Sequence, residues 1–248
     1  MRETAMRQLI AGNWKMNGTT AEAASLAAAL RQGVEGCDLL VCPPATQLMA
    51  VATALAGTSV AVGGQDCHAD PSGAHTGDIS APMLRDAGAS WVIVGHSERR
   101  GEHHETNAMV REKATAAAAA GLMPIVCVGE SDAERSNGQE HVVIEAQLAG
   151  SLPPDFAGVI AYEPLWAIGS GKSASEEDVQ TMHAFIRAEL AKRFHAAGQA
   201  MRILYGGSVK PSNAAGLLAL WDVGGVLVGG ASLVAAEFLA IAQAARRN

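Results

Sequence analysis

Charge is scarce in this chain, and the scarcity removes whole classes of function. Charged residues are only 17% of 248, and the formal net charge is −7. No Lys/Arg-rich stretch and no alternation of basic with aromatic residues occurs, so nucleic-acid binding, which needs clustered positive charge, is not expected. A small anion remains possible, because a few oriented N–H groups and one lysine can hold it locally. No apolar run reaches membrane-spanning length, and the opening Met1-Arg2-Glu3-Thr4-Ala5-Met6-Arg7 lacks the apolar core of a secretion signal. No membrane segment and a cytoplasmic location are therefore expected. The four cysteines, at 37, 42, 67 and 127, form no CxxC pair and no metal-like array with histidine. They read as reduced, mostly buried thiols. No linker rich in Pro, Gly and Ser divides the chain, so residues 1–248 are expected to form a single domain.

What is abundant is apolar: 49% of residues, enough for one sizeable core. Short apolar runs alternate with longer, Ala-rich helical ones. The strands predicted are Gln8–Gly12, Leu39–Cys42, Ser59–Val62, Trp91–Val94, Pro124–Val128, Val159–Tyr162, Arg202–Tyr205 and Gly225–Val228. They are apolar throughout, as parallel strands covered on both faces must be. The clearest helix runs from about 176 to 195, with Val179, Met182, Ile186, Leu190 and Phe194 on one stripe and Ser175 or Ser173 as its cap. The run Ala114–Ala120 is a helix on the outside, with Gly121 at its C-terminal end. Eight βα units without a break predict an α/β, single-domain (β/α)8 barrel; an open doubly wound sheet is the alternative on pattern alone.

A barrel of this kind keeps its active site at the C-terminal ends of the strands. There the sequence places Asn13 and Lys15 after the first strand, His96 after the fourth, Glu163 after the sixth, Gly206-Gly207-Ser208 after the seventh and Gly229-Gly230 after the eighth. Either glycine pair alone reads equally as a tight βα turn. Together they fall where barrels commonly bind phosphate, on backbone N–H groups at a helix start. Lys15 would neutralise an anionic substrate. The helix that starts after His96 would lower its pKa and keep the imidazole neutral, able to donate a hydrogen bond to a carbonyl oxygen. Ser170-Gly171-Lys172-Ser173 ends like a P-loop, but Trp166 stands where that motif needs its first glycine. Residues Pro164, Leu165, Trp166, Ala167, Ile168, Gly169, Ser170, Gly171 and Lys172 read instead as a lid hinged on the strand that carries Glu163. The segment holding His96, Glu98, His103, His104 and Glu105 matches no zinc spacing, so no metal is expected. Neither a GxSxG elbow nor a Cys–His spacing supports covalent catalysis.

Taken in order, Gly12-Asn13-Trp14-Lys15-Met16-Asn17, Gly64-Gln65-Asp66, Gly95-His96-Ser97-Glu98-Arg99-Arg100, Cys127-Val128-Gly129-Glu130, Tyr162-Glu163-Pro164-Leu165-Trp166-Ala167-Ile168-Gly169, Tyr205-Gly206-Gly207-Ser208-Val209 and Leu227-Val228-Gly229-Gly230-Ala231-Ser232 resemble the triosephosphate isomerase family over essentially the whole chain. The resemblance implies a TIM barrel that interconverts dihydroxyacetone phosphate and D-glyceraldehyde 3-phosphate through a cis-enediol(ate), in glycolysis and gluconeogenesis, without cofactor or metal. It implies Glu163 as base, His96 as neutral electrophile and proton shuttle, and Lys15 as positive charge. Asn13 would be a polar contact, and Gly169, Ser208, Gly229 and Gly230 would be phosphate ligands. It also implies a homodimer in which the loop from Gly73 to Asp78 inserts into the partner, with Thr76 reaching toward Asn13 and Lys15 of the other subunit. Against the family pattern, Leu165, Ser170 and Ser173 are substitutions in the lid, and His75 and Asp78 are substitutions in the dimer loop. Gly224 stands where an aspartate usually pairs with the arginine corresponding to Arg187, so Arg187 is expected to have another partner or to be solvated. Another phosphate-binding barrel isomerase would share the glycines but not the set Asn13, Lys15, His96 and Glu163. A catalytically dead barrel would have lost one of them.

Overall fold

The computed structural model describes residues 7–168 and 174–245. Among them eight parallel strands close into a barrel in sequence order, β1 (Gln8–Asn13), β2 (Cys37–Cys42), β3 (Ala61–Gly64), β4 (Trp91–Val94), β5 (Met123–Val128), β6 (Val159–Tyr162), β7 (Ile203–Tyr205) and β8 (Gly225–Val228). Closure is made by β1 against β8, with Leu9 beside Gly225 and Gly12 beside Val228. The predicted open-sheet alternative is thereby removed.

Alternation along each strand divides the apolar residues into two cores. Leu9, Ala11, Leu40, Cys42, Ile93, Ile125, Cys127, Val159, Ala161, Leu204 and Leu227 fill the inside of the barrel. Residues of the opposite parity, such as Ile10, Val41, Val126, Ile160 and Val226, pack outward against the helices. This double burial is why the strands read as unbroken apolar runs. All four cysteines are free and buried.

The helix Glu176–Phe194 buries Val179, Met182, Ile186 and Leu190, and Ser175 caps it in a reciprocal pair with Asp178. The Ala-rich run belongs to the helix Asn107–Ala119, and Gly121 follows it at φ +75°, in the left-handed region that ends a helix. Arg187, whose usual partner is missing at Gly224, donates from Nε to Asp222 Oδ1 at 3.0 Å and from Nη1 to the Gly198 carbonyl at 2.7 Å. The carboxylate is supplied two residues earlier in the same turn, where Asp222 takes φ +63°. No helix among the described residues is long and apolar enough to cross a membrane.

Beneath the rim, buried charges tie three elements together. Lys113 Nζ donates to both oxygens of Asp66 at 2.8 Å and also to Glu105. Arg99 Nε lies 2.9 Å from Asp66 and 2.5 Å from Glu105. This cluster fixes the short helix Ser97–Glu102, whose first residues face the site.

Candidate active site

The strand alternation aims the site residues. Asn13 continues the inward parity of Leu9 and Ala11, and Glu163 continues that of Val159 and Ala161, so both turn into the barrel mouth. After β4 the alternation is broken by Gly95 at φ +65°, where an added Cβ would lie 2.7 Å from Val110. That break turns His96 inward. Beneath Glu163 the packing excludes side chains: a Cβ on Gly129 would fall 1.8 Å from the Glu163 carbonyl, and one on Gly206 would fall 2.9 Å from Glu163 Cγ.

These elements surround a cleft of about 720 Å³, within the range of small-molecule sites. Asn13, Lys15, His96, Glu163, Gly206, Gly207, Ser208, Gly229 and Gly230 all line it. Every predicted catalytic and substrate-binding residue within the described part thus lines this one cleft; of the described lid residues Ile168 lines it and Pro164, Leu165, Trp166 and Ala167 do not, and Thr76 is exposed on the loop after β3. Gly169, Ser170, Gly171, Lys172 and Ser173 lie outside the described residues.

Glu163 is 2% exposed. Its Oε1 is 2.8 Å from His96 Nε2, and its Oε2 accepts the Ser97 N–H at 2.9 Å. Burial alone would push its carboxyl upward, but His96, the Ser97 N–H and Lys15 outweigh it and hold the pKa below the ordinary value of 4.5. For His96 the expected downward shift is corrected. Burial, the largest influence, does lower the pKa, yet the Glu163 carboxylate with Glu98 more than offsets it, and the net direction is upward. The helix start does make its contact, the Glu98 N–H donating to Nδ1 at 3.2 Å. This contact leaves the ring proton on Nε2, facing Glu163.

Lys15 sits at φ +51°, a costly conformation for a residue with a side chain. It is held there by its N–H donating to Asn13 Oδ1 at 3.0 Å and by Gln65 Nε2 donating to its carbonyl at 2.8 Å. Its ammonium reaches Glu98 Oε1 at 2.5 Å. Sequence reasoning did not single out Glu98 as the partner of both Lys15 and His96; no spacing rule pairs residue 15 with residue 98.

The described part of the predicted lid is anchored by Glu130. Its Oε1 accepts from Trp166 Nε1 at 2.8 Å and Tyr162 Oη at 2.9 Å, while the Leu165 N–H donates to its carbonyl at 3.1 Å. Arg135 stacks over the Trp166 ring at 4.7 Å. His103 and His104 lie just beyond the helix Ser97–Glu102, not on a helix, and do not line the cleft.

A closed parallel barrel that holds a carboxylate against an imidazole, beside a lysine and two glycine turns, defines a phosphate-binding barrel enzyme that moves protons. The sequence model of triosephosphate isomerase matches residues 8–245. The chain is 60% identical to the triosephosphate isomerase of Acidiphilium cryptum over 98% of its own length and all of the relative's. It is 59% identical to that of Granulibacter bethesdensis over 96% of itself and 99% of the relative. The crystal structure of triosephosphate isomerase from Bartonella henselae superposes with a TM-score of 0.90 at 47% identity, covering 96% of this chain and 99% of that one. The chain belongs to the triosephosphate isomerase family. It is an isomerase of glycolysis, interconverting dihydroxyacetone phosphate and D-glyceraldehyde 3-phosphate.

Proposed function

We propose that Glu163 and His96 divide the proton transfers of this isomerisation between them, the division known for the family. The observation that carries the reading is their 2.8 Å contact at the mouth of the cleft. Glu163 takes a proton from C1 of dihydroxyacetone phosphate and returns it to C2. His96 gives its Nε2 proton to the carbonyl oxygen and recovers one from the neighbouring hydroxyl, so the enediol(ate) forms and collapses without net change. One Nε2–H cannot serve both the Glu163 carboxylate and a substrate oxygen. Substrate binding therefore separates the pair and frees the carboxylate to move over the carbon. Lys15, exchanging Glu98 for substrate, supplies positive charge, with Asn13 beside it. The N–H groups around Ser208, Gly229 and Gly230, together with Gly169, hold the phosphate. Pro164 to Lys172 close over it as the lid. Every step falls to side chains and backbone, with no cofactor, and the whole chain of 1–248 acts as one catalytic domain in the cytoplasm, serving gluconeogenesis as well.

The test is isomerisation of D-glyceraldehyde 3-phosphate by His96→Gln. A fall in kcat of about 10²-fold or more is expected, with KM within a few-fold, because the phosphate contacts are untouched. An unchanged kcat would remove His96 from the mechanism.

The same reading makes the enzyme a homodimer. Residues 70–79 form a wholly exposed loop, and Met16, Met49, Ile79 and Met83 leave large apolar side chains exposed. Met16 and Ile79 line a common hollow of about 250 Å³ with Gln65. Thr76 then reaches the partner subunit's Asn13 and the partner subunit's Lys15. Light scattering is expected to give twice the chain mass for the wild type and to show dissociation for Thr76→Arg, with a parallel loss of activity. A fully active wild-type monomer would refute the dimer.

A further inference from the structure

The turn after β8 is held from behind by a residue that does not line the cleft. Ser232 lies in the short helical turn Gly230–Leu233 and is fully buried. Its Oγ donates to the Gly229 carbonyl at 2.6 Å, and its N–H donates to the same oxygen at 2.8 Å. The Asn13 carbonyl, at the end of β1, stands 3.5 Å from that Oγ. One hydroxyl therefore lies against the ends of both β1 and β8, the strands that close the barrel. β1 makes room for it with a glycine: a Cβ on Gly12 would fall 2.8 Å from Ser232 Cβ and 3.2 Å from the Phe238 ring. A serine hydroxyl has a single proton to give, and the nearer Gly229 carbonyl takes it.

A peptide unit is planar and trans, so its C=O and N–H point in opposite directions. In the unit between Gly229 and Gly230 two donors draw the carbonyl into the buried side, toward Ser232. Gly229 and Gly230 themselves line the cleft. The Gly230 N–H is thereby turned the other way, toward the cleft. A Gly–Gly unit needs such a restraint more than any other, because neither residue has a side chain to limit its rotation. Packing supplies none at Gly230, where an added Cβ would meet nothing within 4 Å. We infer that Ser232 is a positioning residue for the substrate phosphate: it fixes the peptide between Gly229 and Gly230, so that the Gly230 N–H is aimed before substrate arrives. The inference rests on the reading of Gly229 and Gly230 as phosphate ligands. Buried behind the turn, Ser232 acts through that peptide and not on substrate. A donor aimed in advance spends no binding energy on its own ordering, whereas a free glycine peptide must be ordered by the phosphate.

The test is Ser232→Ala in the full-length enzyme, read on a phosphorylated and a phosphate-free substrate. Loss of the hydroxyl is expected to raise KM for D-glyceraldehyde 3-phosphate about fivefold, with kcat within about twofold, as for a contact made equally in the ground and transition states. The inhibition constant of inorganic phosphate, used as a competitive probe, should rise by the same factor of about five. Isomerisation of D-glyceraldehyde, followed by proton NMR, should keep kcat/KM within about twofold of wild type, because that substrate has no phosphate for the turn to hold. A general loosening of the fold would instead lower kcat/KM for both substrates together. Such an equal fall overturns the inference, and so do an unchanged KM and an unchanged phosphate inhibition in Ser232→Ala. If inorganic phosphate does not compete with substrate even in the wild type, the glycine turns lose their phosphate role, and that of Ser232 falls with it.

Discussion

Glu163→Gln is expected to lower kcat for glyceraldehyde 3-phosphate isomerisation by about 10³- to 10⁴-fold, the loss of a positioned base. That corresponds to about 4–5 kcal/mol of transition-state stabilisation. KM should stay within a few-fold, because Lys15 and the glycine turns that line the cleft keep their places. Glutamine has the same shape, and its amide oxygen can still accept the Ser97 N–H, so the fold is retained. A second readout separates loss of charge from loss of position. The Glu163 carboxylate raises the His96 pKa against burial, which is the largest influence and acts downward. Without that carboxylate burial prevails, so the His96 imidazole in Glu163→Gln titrates at lower pH than in the wild type, as followed by its ring proton resonances. A kcat within tenfold of wild type would show that another group is the base.

Lys113→Met is expected to destabilise the fold by about 3–5 kcal/mol, the usual cost of breaking a buried ion pair and leaving its partners behind. Lys113 is 6% exposed and holds two carboxylates, those of Asp66 and Glu105. Burial pushes Glu105 upward, but Lys113 and Arg99 outweigh it and hold it below 4.5; for Asp66 burial wins and the pKa is raised. Methionine fills the aliphatic volume and leaves Arg99 alone against the buried Glu105 and the partly buried Asp66. Thermal unfolding at fixed protein concentration should shift down by about 10 °C at pH 7. The pH dependence has a definite sign. In the variant both carboxyls bind protons more readily when folded. The penalty is therefore full near neutrality and shrinks as pH falls and the carboxyls become neutral. A difference below about 1 kcal/mol at pH 7, or one that does not narrow by pH 4.5, would contradict this account of the cluster.

Much of this architecture is legible in the residues. β4, β6 and β8 end where the apolar runs end, because buried strands leave no polar residue inside them. β3 is displaced by two residues from the predicted Ser59–Val62, because Gly63 and Gly64, which carry no apolar side chain, are strand. Their glycine has a packing cause: a Cβ on Gly63 would meet Cys42 Sγ at 2.9 Å, and one on Gly64 would meet Leu84 at 2.7 Å. β2 begins two residues early because Asp38, polar in a strand, is satisfied by Arg7 and Arg202. The strand-end rule found Asn13, Lys15, His96 and Glu163 because it depends only on chain order. It could not find Glu98 beside Lys15, Glu130 beneath Trp166 or Asp222 beside Arg187, since each pairing is set by the barrel's curvature across distant segments. The sign of the His96 shift was missed for the same reason: the neighbouring helix is local, whereas Glu163 is 67 residues away and 2.8 Å distant.

The seam between β1 and β8 has a consequence for how the enzyme is made. Asn13 and Lys15 leave the ribosome well before Gly229 and Gly230, and the neighbours Leu9 and Gly225 join them across the barrel. Throughout translation the first strand has one edge without its partner. No partial chain has a complete pocket, so a nascent chain has no catalytic life, and the most exposed moment of synthesis comes just before β8 emerges. Stalling the ribosome short of Gly225 would leave the other seven strands made and the first strand still unpaired on one side.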